Sequence, residues 1–397
     1  MLITSIAACV AVFYALGSLA LGLLFFARLR VPNERLTARV TLVLPATGFL
    51  PRLEDLLDAL VAQSLRPRRL IIAVESREDP AHPRVAAIAE HYTQLNIELV
   101  VAGLSRLRAQ KCTNLLAALA RLDPEDEHVV LLDADIRPQS WWLAALVAPL
   151  AAGRADIVNG YRWPAPAALS GAGALVAAID RAIAMLPRVS WARPLWGGSL
   201  ALTRRALETL DLPKTIGRAL TEDLPIGVRA EEAGLRVLTR RAIRAPTPLD
   251  GGFRDLWRFG RRQYQLIRLY RPVLWTYAGF VVTTDLLARL ILVSSLIAEG
   301  ASGLALPAIA GVACLGSITA ELRGRVGQRL GVPDRLGLRL WQHLFCWAIL
   351  LLPGLHASAI WGGCVTSRVE WAHIRYGVDS TGRVTEVVRR PYSDRSP

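Results

Sequence analysis

Apolar positions along this 397-residue chain follow two regimes: long charge-free runs near its ends and short, punctuated runs through its middle. Leu2 to Ala27 carries no charge and has the length of one bilayer crossing. Positive residues follow it, at Arg28, Arg30, Arg35 and Arg39, and none precede it. The run therefore reads as an anchor rather than a cleaved leader, and the positive-inside rule puts the chain after Arg28 in the cytoplasm. Toward the other end, Pro272 to Ala298 is mostly apolar but contains Asp285 and Arg289, four apart on one helix face and able to neutralise each other. Gly300 to Ala320 is charge-free, Arg323 to Arg339 forms a basic loop, and Leu340 to Ser367 is a further charge-free run interrupted by Pro353-Gly354. Four crossings would leave the tail outside, whereas its Arg368, Arg375, Arg383, Arg389 and Arg390 argue for the inside. One C-terminal run is therefore expected to be interfacial or re-entrant, and the sequence does not say which. The expected division is an anchor over 1–27, a cytoplasmic domain over 28–271, a membrane region over 272–367 and a basic tail over 368–397.

The middle alternates strand and helix patterns. Val40–Leu44, Leu70–Val74, Ile97–Val101 and His128–Leu132 are short apolar runs rich in β-branched residues. Helical spacing falls between and after them, at Leu53, Leu56, Leu57 and Leu60, then over Val85–Tyr92, Leu115–Leu122 and Gln139–Leu150. That alternation predicts an α/β domain with a largely parallel sheet, in which ligands bind beyond the carboxyl ends of the strands. Two of those ends present carboxylates: Glu75 after the second strand, and Asp133 and Asp135 after the fourth. Leu169 to Leu186 is a largely apolar stretch that fits either an interfacial helix guiding a lipid or an ordinary core helix.

Composition sharpens the class. With 53% hydrophobic and 20% charged residues, the chain is too apolar to be disordered or wholly water-soluble. Its net charge of +14 is almost entirely arginine, because lysine occurs only at Lys111 and Lys214. The arginines are scattered and flank apolar runs, which points to an anionic membrane surface and phosphates and away from nucleic acid. Five cysteines without a CxxC pair read as reduced, and six histidines without HExxH give no support to a zinc site.

Four constellations carry candidate chemistry. Asp133 and Asp135, two apart at a strand end, can hold Mg2+ or Mn2+ while diphosphate and water complete its shell; the plainer alternative is that one of them caps the next helix. Thr221-Glu222-Asp223 precedes a helical stretch over Leu224–Ala233 and offers either a carboxylate base or a helix cap. Gly197-Gly198-Ser199-Leu200-Ala201 approaches the GxSxG nucleophile elbow, but every later histidine lies in or beyond the membrane runs, so close backbone approach to a ligand is the better reading. Arg258, Arg261 and Arg262 share one helix face before a membrane run, fit to grip a diphosphate or to anchor the helix at the interface. Lys111, near Asn114, reads as a phosphate or carbonyl contact or as an ordinary surface lysine.

In this order the pieces resemble the membrane-bound, inverting family-2 glycosyltransferases of GT-A fold, and within them the ceramide glucosyltransferase-like group. The resemblance implies a GT-A, Rossmann-like domain with one N-terminal and two to three C-terminal membrane helices. It places Glu75 at the first acidic position, Lys111 and Asn114 at the lysine and asparagine that follow, and Asp133 and Asp135 at the metal and diphosphate motif. Gly198 and Ser199 fall in the turn beside the sugar, Glu222 and Asp223 in the base motif, with Asp223 as base. The (Q/R)xxRW motif is matched imperfectly by Arg258 to Arg262, where arginine replaces tryptophan, with Gln265 to Leu269 as a rival frame. The tail Trp371 to Tyr376 is similar to the family's W-x-x-x-R-Y element. The resemblance implies transfer of a sugar from a UDP-sugar, with Mg2+ or Mn2+, to the hydroxyl of a membrane lipid at a bacterial inner membrane, with inversion. Sugar transfer to polyprenyl phosphate and a non-catalytic membrane scaffold are the alternatives.

Overall fold

The computed structural model describes residues 1–33, 36–166, 170–189, 193–249 and 251–392. Arg35, Leu169 and the last five residues of the tail lie outside the described residues. The chain opens with α1 (Leu2–Ala27), whose 26 residues reach about 39 Å at 1.5 Å per residue, enough to cross a bilayer. Then β1 (Val40–Pro45), α2 (Leu53–Val61), β2 (Arg69–Val74), α3 (Ala81–Ala89), β3 (Ile97–Val101), α4 (Gln110–Leu119), β4 (His128–Leu132) and α5 (Trp142–Ala151) follow the alternation expected from the sequence. Strands β1, β2 and β4 are apolar almost throughout because helices cover both faces of the sheet. Period-two alternation sends Leu42 and Leu44 into one core with Leu56, Leu57 and Trp142, and Val43 into the other with Leu115, Leu131 and Ile226.

Three strands escaped the apolar pattern. They are β5 (Ile157–Pro166), β6 (Ser199–Thr203) and β7 (Val237–Leu249), separated by α6 (Gly171–Met185), α7 (Arg204–Leu210), α8 (Leu212–Thr215) and α9 (Asp223–Glu232). The seven strands run in the order β3-β2-β1-β4-β6-β5-β7; β1 to β4 are mutually parallel where they pair, and β6 is antiparallel to both β4 and β5. Arginine and proline interrupt β7, yet its Arg244 is buried because its guanidinium donates to the carbonyls of Ala184, Arg240 and Ile243. Helix α6 is mostly buried and packs on β5, so this stretch lies between the sheet and the helices that follow rather than loose at a surface.

After the sheet come α10 (Phe253–Tyr270), α11 (Pro272–Glu299), α12 (Ala305–Arg329), α13 (Leu336–Trp347) and α14 (Leu351–Gly362). Helices α1, α11 and α12 are each long and apolar enough to cross a membrane. They meet through Ala7, Ala8, Ala11 and Ala15 of α1 against Ala288, Leu292, Ala308 and Val312, small residues that allow close approach. Asp285 and Arg289 do pair, Oδ1 to Nε at 2.9 Å, and Arg289 also donates to the carbonyl of Ile349. Helices α13 and α14 are bent by 86°. The break falls just before Leu351, and Pro353 sits in the first turn of α14, where a missing N–H costs nothing. The chain ends in an antiparallel sheet of β8 (Arg368–Trp371), β9 (Ile374–Val378) and β10 (Val384–Arg389) that docks on the α/β domain: the Gln110 N–H donates to the Tyr376 hydroxyl at 3.0 Å, and the Val384 N–H to the Arg218 carbonyl at 2.8 Å.

Candidate active site

Strand β4 ends at Leu132 and delivers Asp133 into a cleft where three distant segments meet. Lys111, in the first turn of α4, places its Nζ 2.7 Å from Asp133 Oδ1 and 2.7 Å from Glu222 Oε1. Burial opposes the lysine charge, but Asp133, Glu222 and Asp223 more than offset it and hold the ammonium well above its usual range. Glu222 is 1% exposed. Burial pushes its carboxyl up to about 7, with Asp223 and Asp133 adding to the rise and Lys111 opposing it.

Asp223 differs from its neighbour: it is half-buried and oriented by three hydrogen bonds. Its Oδ1 accepts from the Thr221 hydroxyl and the Leu224 N–H, both at 2.8 Å, and its Oδ2 accepts from the Gly197 N–H at 3.2 Å. Neither Glu222 nor Trp141, the residues preceding α9 and α5, makes a side-chain cap, but Asp223 sits in the first turn of α9 and accepts the Leu224 N–H, so the helix start itself orients this carboxylate. Gly197 and Gly198 are glycine for want of room. A Cβ on Gly197 would lie 1.8 Å from Glu222 Oε1, and one on Gly198 would meet the Trp196 ring at 2.3 Å and Asp133 Oδ2 at 2.8 Å. Ser199 points away from the cleft: it is fully buried, and the indole N–H of Trp142 donates to its hydroxyl at 2.6 Å.

Asp135 is open to solvent, although the surrounding protein and the Asp133 charge raise its carboxyl to about 6. Two carboxylates that repel each other at a strand end make a site a hard divalent cation would relieve. They suit a cation whose shell is completed by phosphate and water, since no group of three or more acidic, histidine or cysteine ligands occurs among the described residues.

Glu75, at the end of β2, is buried at 2% exposure. Its Oε1 accepts from His373 Nε2 at 2.9 Å and from the Tyr392 hydroxyl, and Arg389 Nε lies 4.0 Å from Oε2. Burial alone would raise this carboxyl, but the His373 and Tyr392 hydrogen bonds together with Arg389 hold it below its ordinary value. Asn114 is buried and works as a brace, donating to the Ala46 carbonyl at 2.9 Å and accepting from Gln110.

The arginine face of α10 divides. Arg258 is exposed, Arg261 stacks on Trp257, and only Arg262 reaches the cleft, 5.0 Å from the Trp371 ring centroid and 3.2 Å from the Glu370 carbonyl. Gln265 of the rival frame is buried and donates to the carbonyls of Thr366 and Arg368, so it ties down the tail. Sequence reasoning missed Trp371, His373, Arg389 and Tyr392 as neighbours of these groups, and also Arg162, which pairs with Asp180, lies over Phe259 and acts electrostatically on Asp135. The W-x-x-x-R-Y pattern was the available signal for Trp371.

The model described as Glycosyl transferase family 21 matches residues 3–384. The mannosyltransferase from Pyrobaculum calidifontis in complex with GDP-Man and Mn2+ is similar in structure, at 18% identity and a TM-score of 0.50, covering 90% of this chain and 99% of that one. Glucosyl-3-phosphoglycerate synthase from Mycobacterium tuberculosis in complex with phosphoglyceric acid is a weaker likeness, at 18% identity and a TM-score of 0.38 over 58% of this chain and 79% of that one. No curated protein matches the chain. The fold is the GT-A arrangement.

Proposed function

The chain belongs to glycosyl transferase family 21, and from that premise we propose that it moves a sugar from a UDP-sugar to the hydroxyl of a membrane lipid, with inversion, as a ceramide glucosyltransferase-like enzyme. The observation that carries this reading is the meeting of Lys111, Asp133 and Glu222 at 2.7 Å beside Asp223, from segments far apart in the chain. The nucleotide lies over the ends of β2, β1 and β4, its base toward Glu75 and its diphosphate toward Lys111, Asp133 and Arg262. Gly197 and Gly198 let the backbone come close to the sugar.

Asp223 is the base. It is the more accessible of the two carboxylates in its motif, and its three hydrogen bonds fix its orientation. A carboxylate is far too weak to ionise an alcohol beforehand, so it accepts the hydroxyl proton as the acceptor oxygen bonds to the anomeric carbon and the bond to UDP breaks on the opposite face. Glu222 is buried and holds Lys111 in place. Asp133 and Asp135 would hold Mg2+ or Mn2+, which when bound supplies charge neutralisation of the departing diphosphate. The similar mannosyltransferase was solved with a nucleotide-sugar and Mn2+, which fits this class of donor and cation.

In this reading the anchor spans 1–27, the domain 28–271, the membrane region 272–367 and the tail 368–397, and the cleft lies beneath a bacterial inner membrane, on its cytoplasmic side. Asp223→Asn in purified full-length protein is expected to lower turnover by about 10²- to 10⁴-fold while leaving UDP affinity nearly unchanged. Asp135→Asn is expected to weaken UDP binding only when divalent metal is present. Wild-type turnover by Asp223→Asn would remove the base assignment. Mass spectrometry of lipid extracts with and without the chain identifies the acceptor, and a product cleaved by mild acid would indicate polyprenyl phosphate instead.

A further inference from the structure

The tip of the C-terminal sheet meets the residues at the carboxyl ends of β2 and β4. Its placement is firm. Tyr376 receives the first N–H of α4, Arg389 donates to the Ser105 carbonyl at 3.0 Å and to Gln110 Oε1 at 2.6 Å, and Gln265 holds the carbonyls of Thr366 and Arg368. Between β8 and β9 the turn is tight enough to force Ala372 to a φ of +51°, a left-handed conformation that a non-glycine residue keeps only when its surroundings demand it. The two residues flanking Ala372 meet different groups, Trp371 the pair Lys111 and Arg262, His373 the carboxylate of Glu75.

The Trp371 ring lies 5.7 Å from Lys111 Nζ and 5.0 Å from the Arg262 guanidinium. Lys111 pairs with Asp133 and Arg262 feels the Asp135 charge, both acids just beyond β4, and in α10 Arg262 itself stands where the motif has its tryptophan. An aromatic face between two cations gives a diphosphate its counter-charges and gives the group attached to it a flat apolar surface. On the other side of Ala372, His373 is buried, donates to Glu75 and lies against the Tyr392 ring, tilted by 40° at a centroid distance of 4.1 Å. Glu75 Oε2 and Arg389 Nε are buried there as an ion pair 4.0 Å apart, each without a hydrogen bond. A carboxylate oxygen beside a guanidinium N–H, too far apart to hydrogen-bond each other, is complementary to a base edge that offers an N–H next to a carbonyl. His373 and Tyr392 both use Oε1, so Oε2 is left facing Arg389.

We propose that Trp371 and His373, carried on the tip of the C-terminal sheet, form the closing wall of the donor site: Trp371 positions the diphosphate-sugar against Lys111 and Arg262, and His373 with Tyr392 sets the Glu75 carboxylate toward the base. This rests on the UDP-sugar reading above. The tail is thus part of the catalytic domain's binding surface, although the membrane region separates them in sequence.

The test uses full-length protein and follows UDP and inorganic diphosphate binding by calorimetry in the presence of Mn2+, together with donor KM, kcat and Tm. Trp371→Leu keeps apolar bulk without the aromatic face and is expected to weaken UDP and diphosphate and to raise donor KM, each by about tenfold, with a smaller effect on kcat; Trp371→Phe restores most of the loss. His373→Ala is expected to weaken UDP by a similar factor and to leave diphosphate binding unchanged, because diphosphate has no base. A merely structural role would lower Tm without this split between ligands. If Trp371→Leu and His373→Ala remain folded and bind both ligands like wild type, the proposal is overturned. With Asp223→Asn inactive in the same assay, that result removes only the wall; an active Asp223→Asn removes the base assignment instead.

Discussion

Lys111 is one of only two lysines in the chain, and its place explains why arginine does not serve there. A compact ammonium fits between Asp133 and Glu222 at 2.7 Å to each, whereas a planar guanidinium needs room to the side that buried Glu222 and the glycine turn deny it. The same crowding makes Gly197 intolerant. Gly197→Ala puts a methyl 1.8 Å from Glu222 Oε1, so the carboxylate must swing away from Lys111. The expected outcome is loss of most turnover, with a lowered Tm reporting the displaced buried charge; an active Gly197→Ala enzyme of unchanged Tm would contradict the packing described.

At the scale of elements, the two ends of the parallel sheet do different work. The carboxyl ends of β2 and β4 carry the functional acids, and the amino ends are held by Asp126. That residue is fully buried and accepts from the Thr41 hydroxyl of β1, the guanidinium groups of Arg68 just before β2 and Arg69 at its start, and the Asp123 N–H. Burial alone would raise its carboxyl, but these partners overcome it and hold the pKa down to about 2. A carboxyl depressed in the folded state stabilises above its unfolded pKa near 3.8 and loses that contribution as pH falls toward 2. Asp126→Asn should therefore cost about 2 kcal/mol near pH 6, and the Tm gap between wild type and variant should close between pH 4 and 2. A gap independent of pH would mean that the loss is packing rather than charge. Helix α10 shows a related division, since Arg258, Arg261 and Arg262 look equivalent by spacing but only Arg262 faces Trp371.

For the whole molecule, the tail bears on topology. Because β8 to β10 pack on the α/β domain, the two share one side of any membrane that α11 and α12 cross, and the pair α13–α14 then enters and leaves by the same face. Its 86° bend is compatible with such a path. In a chain whose native cysteines are replaced by serine, single cysteines at Thr93 in the domain and Ser380 in the tail should react with an impermeant thiol reagent from the same side, and one at Gly300 from the other. Labelling of Thr93→Cys and Ser380→Cys from opposite sides would make α13–α14 a true crossing. Such a path meets the conflict between four crossings and the basic tail that charge patterning raised.

What the amino-acid order determined by itself was whatever depends on neighbours close in the chain. Strands β1 to β4 were legible because both their faces are buried, which leaves unbroken apolar runs; α1, α11 and α12 were legible because a lipid environment demands the same of a helix. Asp133, Asp135 and Asp223 stood out because strand ends and helix starts are local events. Strands β5 and β7 were hidden by arginine and proline, and the burial of those arginines draws on α6, whose Ala184 carbonyl accepts from Arg244 and whose Asp180 carboxylate pairs with Arg162. Only the tertiary structure decided that Asn114 braces Ala46, that Ser199 serves Trp142, and that Glu75 meets a histidine 298 residues further along. Hydrogen bonds and ion pairs act over a few ångströms of space and leave no period in the chain, so partners this far apart in sequence are chosen by the fold.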